Sequence, residues 1–334
     1  MNDRNRQWIL KQRPDGKPTE ENFELEACEI PEPAANEVLV RTRYLSVDPY
    51  MRGRMREGDS YAESWEVGEP MQAGVVGEVE ESKHADFGEG DIVTGILRWA
   101  EYDVALGSEL TPVDPDLAPI STAVGVLGMP GRTAYFGTLD VAEPEPSDTM
   151  VVSGAAGAVG SVVGQIAQLA GARVVGIAGS DRKCQWLTED LGFDAAVNYK
   201  EEDVREALSA TCPDGIDAYF DNVGGEITDA VFSNLNDDAR VAICGQIALY
   251  NATERPVGPR KLMTLIEKRA HVEGFLVFDY VSRFEAATER LGKWVSEGEI
   301  QYEETVTEGF ENAPAAFIGL FSGENIGKQL VKVE

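Results

Sequence analysis

Residues 151–161 read VVSGAAGAVGS, the end of an apolar run followed by glycines at 154, 157 and 160. Glycines at such a point permit a tight turn, let backbone amides approach a pyrophosphate, and let the next helix pack close to its strand. The helix N-terminus then meets an anion with its own N–H groups and the positive end of its dipole. The spacing is GxxGxxG rather than GxGxxG, so context decides between a dinucleotide turn and one that only packs. That context is strand, turn, helix, strand: TMVVSG (149–154), AVGSVVGQIAQLAG (158–171) and ARVVGIAGS (172–180).

The second strand indicates which dinucleotide. A site for NAD usually ends this strand with an acid that binds the ribose 2′-hydroxyl. Here the strand ends at Ala178 and Gly179, which leave space, followed by Ser180 and Lys183. A hydroxyl and an ammonium suit a 2′-phosphate, so NADPH is expected, with an ordinary surface lysine as the other reading of Lys183. Asp181 argues the other way unless it points to solvent.

Outward from this unit the alternation continues. DRKCQWLTEDLG (181–192) reads as a helix, AAVNY (195–199) as a strand, and EEDVREALSATC (201–212) as a helix. GIDAYFDNVGG (215–225) reads as a strand and turn, and ARVAICGQI (239–247) as another strand. Repeated βαβ units predict a doubly wound parallel sheet of Rossmann type, with ligands at the carboxyl ends of its strands. Residues 282–300 carry an amphipathic helical pattern; the tail adds a helix around APAAFIGLFSG (313–323) and a last strand, KQLVKV (328–333). The first third differs. EVLVRTRYLSV (37–47), GVVGEVEE (74–81) and DIVTGILRWAEYDVAL (91–106) are short strands between Gly/Pro turns, as in a small barrel or sandwich. The expected class is therefore α/β, a Rossmann sheet plus a β-rich domain.

Among 334 residues, 59 are Asp or Glu against 29 Lys or Arg, ten of them Lys, for a net charge of −30. The acids are spread along a chain that is 43% hydrophobic, which excludes a disordered acidic tail. Such a surface suits concentrated salt, a halophilic reading; a moderately acidic protein from dilute conditions is the alternative. Nucleic acid and anionic membranes would be repelled. No run of 18 apolar residues is present, the first residues MNDRNRQWIL carry charge rather than a leader pattern, and four scattered cysteines form no CxxC pair. These features give the expectation of a cytoplasmic protein.

Eight segments carry a resemblance. They are SVDPYMRGRM (46–55), MPGRTAYFG (129–137), GAAGAVGSVVGQIAQLAGARVVG (154–176), GFDAAVNYK (192–200), DNVGG (221–225), ICGQIALYN (243–251), GFLV (274–277) and FENAPAAFIGLFSGENIGK (310–328). In this order they resemble the zinc-independent medium-chain dehydrogenase/reductase superfamily, and most nearly its prostaglandin reductase, 2-alkenal reductase and curcumin reductase branch. The resemblance implies a GroES-like catalytic domain over about 1–120, completed by about 300–334, with a Rossmann NADPH-binding domain over 121–299. It implies NADPH contacts from Gly157, Ala158, Val159 and Gly160 at the pyrophosphate. Lys183 and Tyr199, with Ser180 beside them, would lie near the adenosine phosphate. Asn222, the stretch from Cys244 and Gly245 to Tyr250, the stretch Phe275, Leu276 and Val277, and Asn325 would line the rest. A homodimer is implied too. Some members carry a tyrosine ahead of GFLV, where this chain has Glu267.

Zinc-dependent relatives need early Cys and His ligands, but this chain has Ser46 in that region and two histidines in all, His84 and His271, read as a surface residue and a packing or loop residue. No metal is expected. Without a Lewis acid, hydride addition to an activated C=C bond is the natural chemistry, aided by donors that hold the developing enolate oxygen. Tyr50 is the candidate donor, or else it shapes a pocket wall. Arg52, Arg54 and Arg56 would steer an anionic substrate or pair with nearby acids. The expected activity is NADPH-dependent reduction of α,β-unsaturated ketones or aldehydes. A quinone oxidoreductase and a non-catalytic NADPH-binding sensor are the competing readings.

Overall fold

The computed structural model describes residues 4–58 and 61–333. Its strands, in chain order, are β1 Asn5–Leu10, β2 Phe23–Cys28, β3 Glu37–Ser46, β4 Gln72–Ser82, β5 Ile92–Arg98, β6 Tyr102–Leu106, β7 Thr111–Pro112 and β8 Thr149–Ser153. They continue with β9 Arg173–Ala178, β10 Ala195–Asn198, β11 Ile216–Asp221, β12 Leu235–Ile243, β13 His271–Gly274, β14 Glu304–Glu308 and β15 Lys328–Lys332. The chain divides into two compact units, one of residues 1–125, 304–325 and 329–334, the other of 126–303 and 326–328.

The first unit is built on antiparallel pairs. β14, β15, β3, β4, β5 and β7 follow one another across a sheet, β6 also pairs with β3, and β1 and β2 form a separate hairpin. Strands β3 and β4 send Val38, Val40, Val75 and Val79 into a core shared with Trp99, Met51, Met55 and Phe317. Aromatic rings lock that core: Phe23 stacks on Trp99 at 6.3 Å, and Phe317 meets both edge-on.

In the second unit, β10, β9, β8, β11, β12 and β13 form one parallel sheet in that order. All five residues of β8 are buried, as expected of a strand covered on both faces. Val151, Val175, Ile177, Tyr219 and Val241 form its core with Leu208 and Val231 from the helices Val204–Thr211 and Gly225–Phe232. From β8 the strand order runs outward one way to β9 and β10 and the other way to β11, β12 and β13, so it reverses between β8 and β11. In doubly wound sheets the ligand crevice opens at that switch, outside the strands' carboxyl ends. The helix expected over 181–192 is α-helical over Asp181–Gln185 and continues as a wider π turn over Trp186–Asp190. The hairpin β1–β2, the helix Gly225–Phe232, β13 and β14 are additions to the elements expected above.

Candidate dinucleotide site and its surroundings

The glycine turn follows β8. Gly154 has φ +59°, a conformation that strains L side chains, and the Gly157 N–H donates to its carbonyl at 3.0 Å. A Cβ on Gly160 would fall 2.4 Å from that same carbonyl oxygen, so only glycine lets the helix Gly160–Leu169 begin this close to the strand. The Ser161 N–H of this ten-residue helix donates to the Gly157 carbonyl at 3.1 Å, and the Val162 and Val163 N–H groups donate to Val159 at 3.1 and 3.0 Å, so the glycine turn runs straight into the helix. Gly327, one of the three tail residues in this unit, donates its N–H to Ala156 at 2.8 Å. Gly157, Ala158 and Val159 are half-buried beside it.

At the end of β9, Ser180 caps the next helix; its Oγ accepts the Lys183 N–H at 3.4 Å. Lys183 is partly buried. Burial first, and Lys200 second, pull its ammonium pKa below the ordinary lysine value. Tyr199, exposed after β10, lies against Gly179, where a Cβ would meet the ring at 2.9 Å. The Lys200 ammonium stands 6.0 Å from the Tyr199 ring centroid. Asp181 is exposed, and its carboxylate accepts the Asn198 side-chain amide at 2.7 Å. That bond occupies the acid which the sequence left as an argument for NAD. Lys200 is an addition: no motif spacing singles it out, only its place next to Tyr199 at a strand end.

After β11, Asn222 donates its side-chain amide to the Ser153 carbonyl at 2.8 Å and its backbone N–H to Ser153 Oγ at 3.0 Å. After β12, the Cys244 and Gly245 N–H groups both donate to the Asp221 carbonyl, at 2.9 and 3.0 Å. Burial, with Asp221 contributing, pushes the Cys244 thiol up to about 12. The Tyr250 hydroxyl accepts the Gln246 N–H at 3.3 Å, and burial raises its pKa. After β13, Phe275 meets Phe220 edge-on at 6.0 Å, Leu276 is exposed and Val277 is buried. The residues expected to contact NADPH from the second unit thus follow the carboxyl ends of six parallel strands. Asn325 belongs to the first unit, and Glu267 is exposed on the helix Leu262–Lys268.

Tyr50 also lies in the first unit, ahead of the short helix Met51–Arg54 and packed against that unit's core. Burial, reinforced by Asp48, raises its phenol far above the ordinary value, so the group stays protonated and able to donate. Ser46 donates to the Asp48 carboxylate, both side chains buried. Arg52 and Arg54 are engaged by neighbouring loops. Buried Arg52 donates to the Gly16 and Pro14 carbonyls, and its pKa is pulled down to about 10 by burial and Arg56. Arg54 donates to the Glu63 carbonyl and Gln72, and lies 5.0 Å over the Trp65 ring. Both hold loops in place. His84 is half-buried against Gly107, while His271 sits exposed in β13 rather than in a loop, 3.3 Å from Glu273. Among the described residues, no group of three or more His, Cys, Asp and Glu side chains could hold a metal ion, and no helix is long and apolar enough to cross a membrane.

Two family models match the chain, one described as the N-terminal domain of oxidoreductase over residues 6–113, the other as zinc-binding dehydrogenase over 158–293. YfmJ of Bacillus subtilis (strain 168) is 52% identical over 97% of this chain and 96% of its own length. The NADPH-dependent curcumin reductase of Escherichia coli (strain K12) is 46% identical over 99% of this chain and 97% of its own. The crystal structure of Vibrio vulnificus CurA in complex with NADPH superposes with a TM-score of 0.95 at 46% identity, covering 98% of this chain and 99% of that one. The chain belongs to the medium-chain dehydrogenase/reductase superfamily, in the branch of the prostaglandin, curcumin and 2-alkenal reductases.

Proposed function

We propose that this protein is an NADPH-dependent reductase of the C=C bond in α,β-unsaturated ketones or aldehydes, acting without a metal. The observation that carries this reading is the full-length likeness to the curcumin reductase, together with a strand-end constellation suited to a phosphorylated dinucleotide. The glycine turn fits a pyrophosphate, because Gly154 and Gly160 let the helix Gly160–Leu169 start directly against the end of β8, where a helix N-terminus favours an anion. Lys183 and Lys200, with Tyr199, fit a 2′-phosphate: two ammonium groups close enough to disfavour one another gain from a shared dianion.

When bound, NADPH supplies a hydride, which the reading delivers to the β carbon of the conjugated acceptor. The protein's part is to bind, orient and stabilise. Charge moves to the carbonyl oxygen as the β carbon is reduced, and the Tyr50 phenol is the donor proposed to hold it. The proton for the α carbon then comes from solvent or from a group in equilibrium with it. Metal independence rests on the residues, since Ser46 stands where a thiolate ligand would be needed and bonds to Asp48.

A homodimer is part of the proposal. β13 forms an edge of the six-stranded sheet, its residues are exposed, and Met263, Ile266, Val272, Phe278 and Val281 expose large apolar side chains nearby in sequence. An uncovered edge with apolar neighbours suits pairing with a second copy. A reducing cytoplasm suits four cysteines without a disulfide, Cys28, Cys184, Cys212 and Cys244.

The deciding assay follows oxidation of NADPH and NADH in molar KCl against enones, enals and quinones, with light scattering for subunit count. Turnover of enones or enals with NADPH is expected. Exclusive turnover of quinones would favour the quinone oxidoreductase, and NADPH binding without turnover would favour a sensor.

A further inference from the structure

The second unit contains a fully buried carboxylate, Asp221, at the end of β11. Burying such a group is costly unless its lone pairs are met. Here they are met six times. Oδ1 accepts from the Val223 and Gly224 N–H groups at 2.9 Å each, from the Tyr219 hydroxyl at 2.8 Å and from Ser153 Oγ at 3.0 Å. Oδ2 accepts from Thr228 Oγ1 at 2.7 Å and from the Gln246 side-chain amide at 2.9 Å. The Asp221 backbone carbonyl takes two more, from the Cys244 and Gly245 N–H groups.

The partners are spread through the sequence but meet at one place. Ser153 ends β8, Val223 and Gly224 form the turn after β11, Thr228 stands on the helix behind that turn, and Gln246 lies in the turn after β12. β8 and β11 are the parallel strands between which the order of strand addition reverses, so this carboxylate lies at the switch point where doubly wound sheets bind ligands. Gln246 also closes over the turn, since a Cβ on Gly224, with φ +74°, would fall 2.2 Å from its Oε1. Every loop anchored here adjoins a residue the cofactor reading uses: Gly154, Asn222, Cys244 and Gly245.

We propose that Asp221 is a positioning residue for the dinucleotide, a buried tie that holds the turns after β8, β11 and β12 in the one arrangement that accepts the nicotinamide half of NADPH. It acts through Asn222, Cys244 and Gly245 and need not touch the cofactor. The proposal rests on the functional reading above.

Asp221→Asn tests it. The substitution keeps volume and one oxygen but turns an amide donor toward groups that were donating, so the turns must rearrange. The expected result is NADPH affinity lower by about tenfold or more, as for the loss of one to two charge-assisted hydrogen bonds. The KM for the acceptor at saturating NADPH should change less than the NADPH affinity, because the network ties the turns assigned to the cofactor. Thr228→Val removes one donor, keeps the carboxylate, and serves where Asp221→Asn does not fold; it should weaken NADPH about threefold. Isothermal titration gives the affinities, and thermal midpoints report the fold. Unchanged NADPH affinity with a lowered thermal midpoint, in either variant, would make the network merely structural and overturn the proposal. Wild-type protein that binds no NADPH would overturn the functional reading itself.

Discussion

The two units hold their candidate chemistry in different ways. In the second, the proposed binding is spread over backbone: a glycine turn, strand ends and loops tied to Asp221, with Lys183 and Lys200 as the proposed charges. In the first, it rests on one side chain, the Tyr50 phenol, kept protonated by burial. Spread binding divides the affinity among several groups and depends on the shape that holds them together. A lone donor tolerates a change of shape around it poorly and can be deleted in one step. The difference teaches where to look for effects on turnover and where for effects on affinity.

The largest expected effect is on the lone donor. Tyr50→Phe should lower kcat/KM by about 10²-fold, the usual loss for one oxyanion donor, while leaving NADPH affinity unchanged. Full activity in that variant would move the role to solvent or to another donor and would erase the contrast between the units. A pH profile sharpens the same point. The proposed donor is the protonated phenol, and its raised pKa keeps it protonated, so kcat/KM should not fall through pH 10, where an ordinary tyrosine titrates. A decline centred there in wild type, absent from Tyr50→Phe, would mean that the phenol is not held as described.

Next comes Lys183→Ala, which should cost NADPH about 1.5–3 kcal/mol of binding and leave NADH nearly unchanged. Equal losses for both cofactors would remove Lys183 from the phosphate site. The lysine also carries a pH signature. Its pKa lies below the ordinary lysine value in the free protein, and a 2′-phosphate favours the charged form. NADPH affinity should therefore fall as pH rises through that lowered value, with NADH affinity flat.

The smallest effect per group, though large in sum, is salt. With a net charge of −30, going from about 1 M to about 0.1 M KCl lengthens the Debye length from roughly 3 to 10 Å and unscreens repulsion over the whole surface. The thermal midpoint should rise with KCl, and a midpoint indifferent to salt would end the halophilic reading. Salt should also weaken the Lys183 contribution more than the buried Asp221 network.

What could be read from the sequence follows the same division. The glycines at 154, 157 and 160 are legible because a backbone requirement leaves a residue-type mark at fixed spacing. Lys183 is legible because it follows the end of the second strand of the βαβ unit, where dinucleotide sites of this type read the ribose. Asp221 is visible as the one acid closing the apolar run AYFD, but what it binds is not, since Ser153 and Gln246 lie 68 and 25 residues away. Strand β13 escapes because its four residues are all exposed, so no alternation marks them. The helix Gly225–Phe232 escapes for another reason: it opens on glycine with no side-chain cap to announce it. Arg52 reads as a steering charge or a partner for nearby acids until the fold buries it against the carbonyls of residues 14 and 16.

The most direct test of the proposed reduction follows an isotope. Reduction of an enone with NADPH deuterated on its transferring face should place deuterium at the β carbon, because only there can the electron pair flow into the carbonyl. Solvent deuterium should enter at the α carbon, and the product should be the saturated ketone with its carbonyl intact. Deuterium at the carbonyl carbon, with an allylic alcohol as product, would contradict the account.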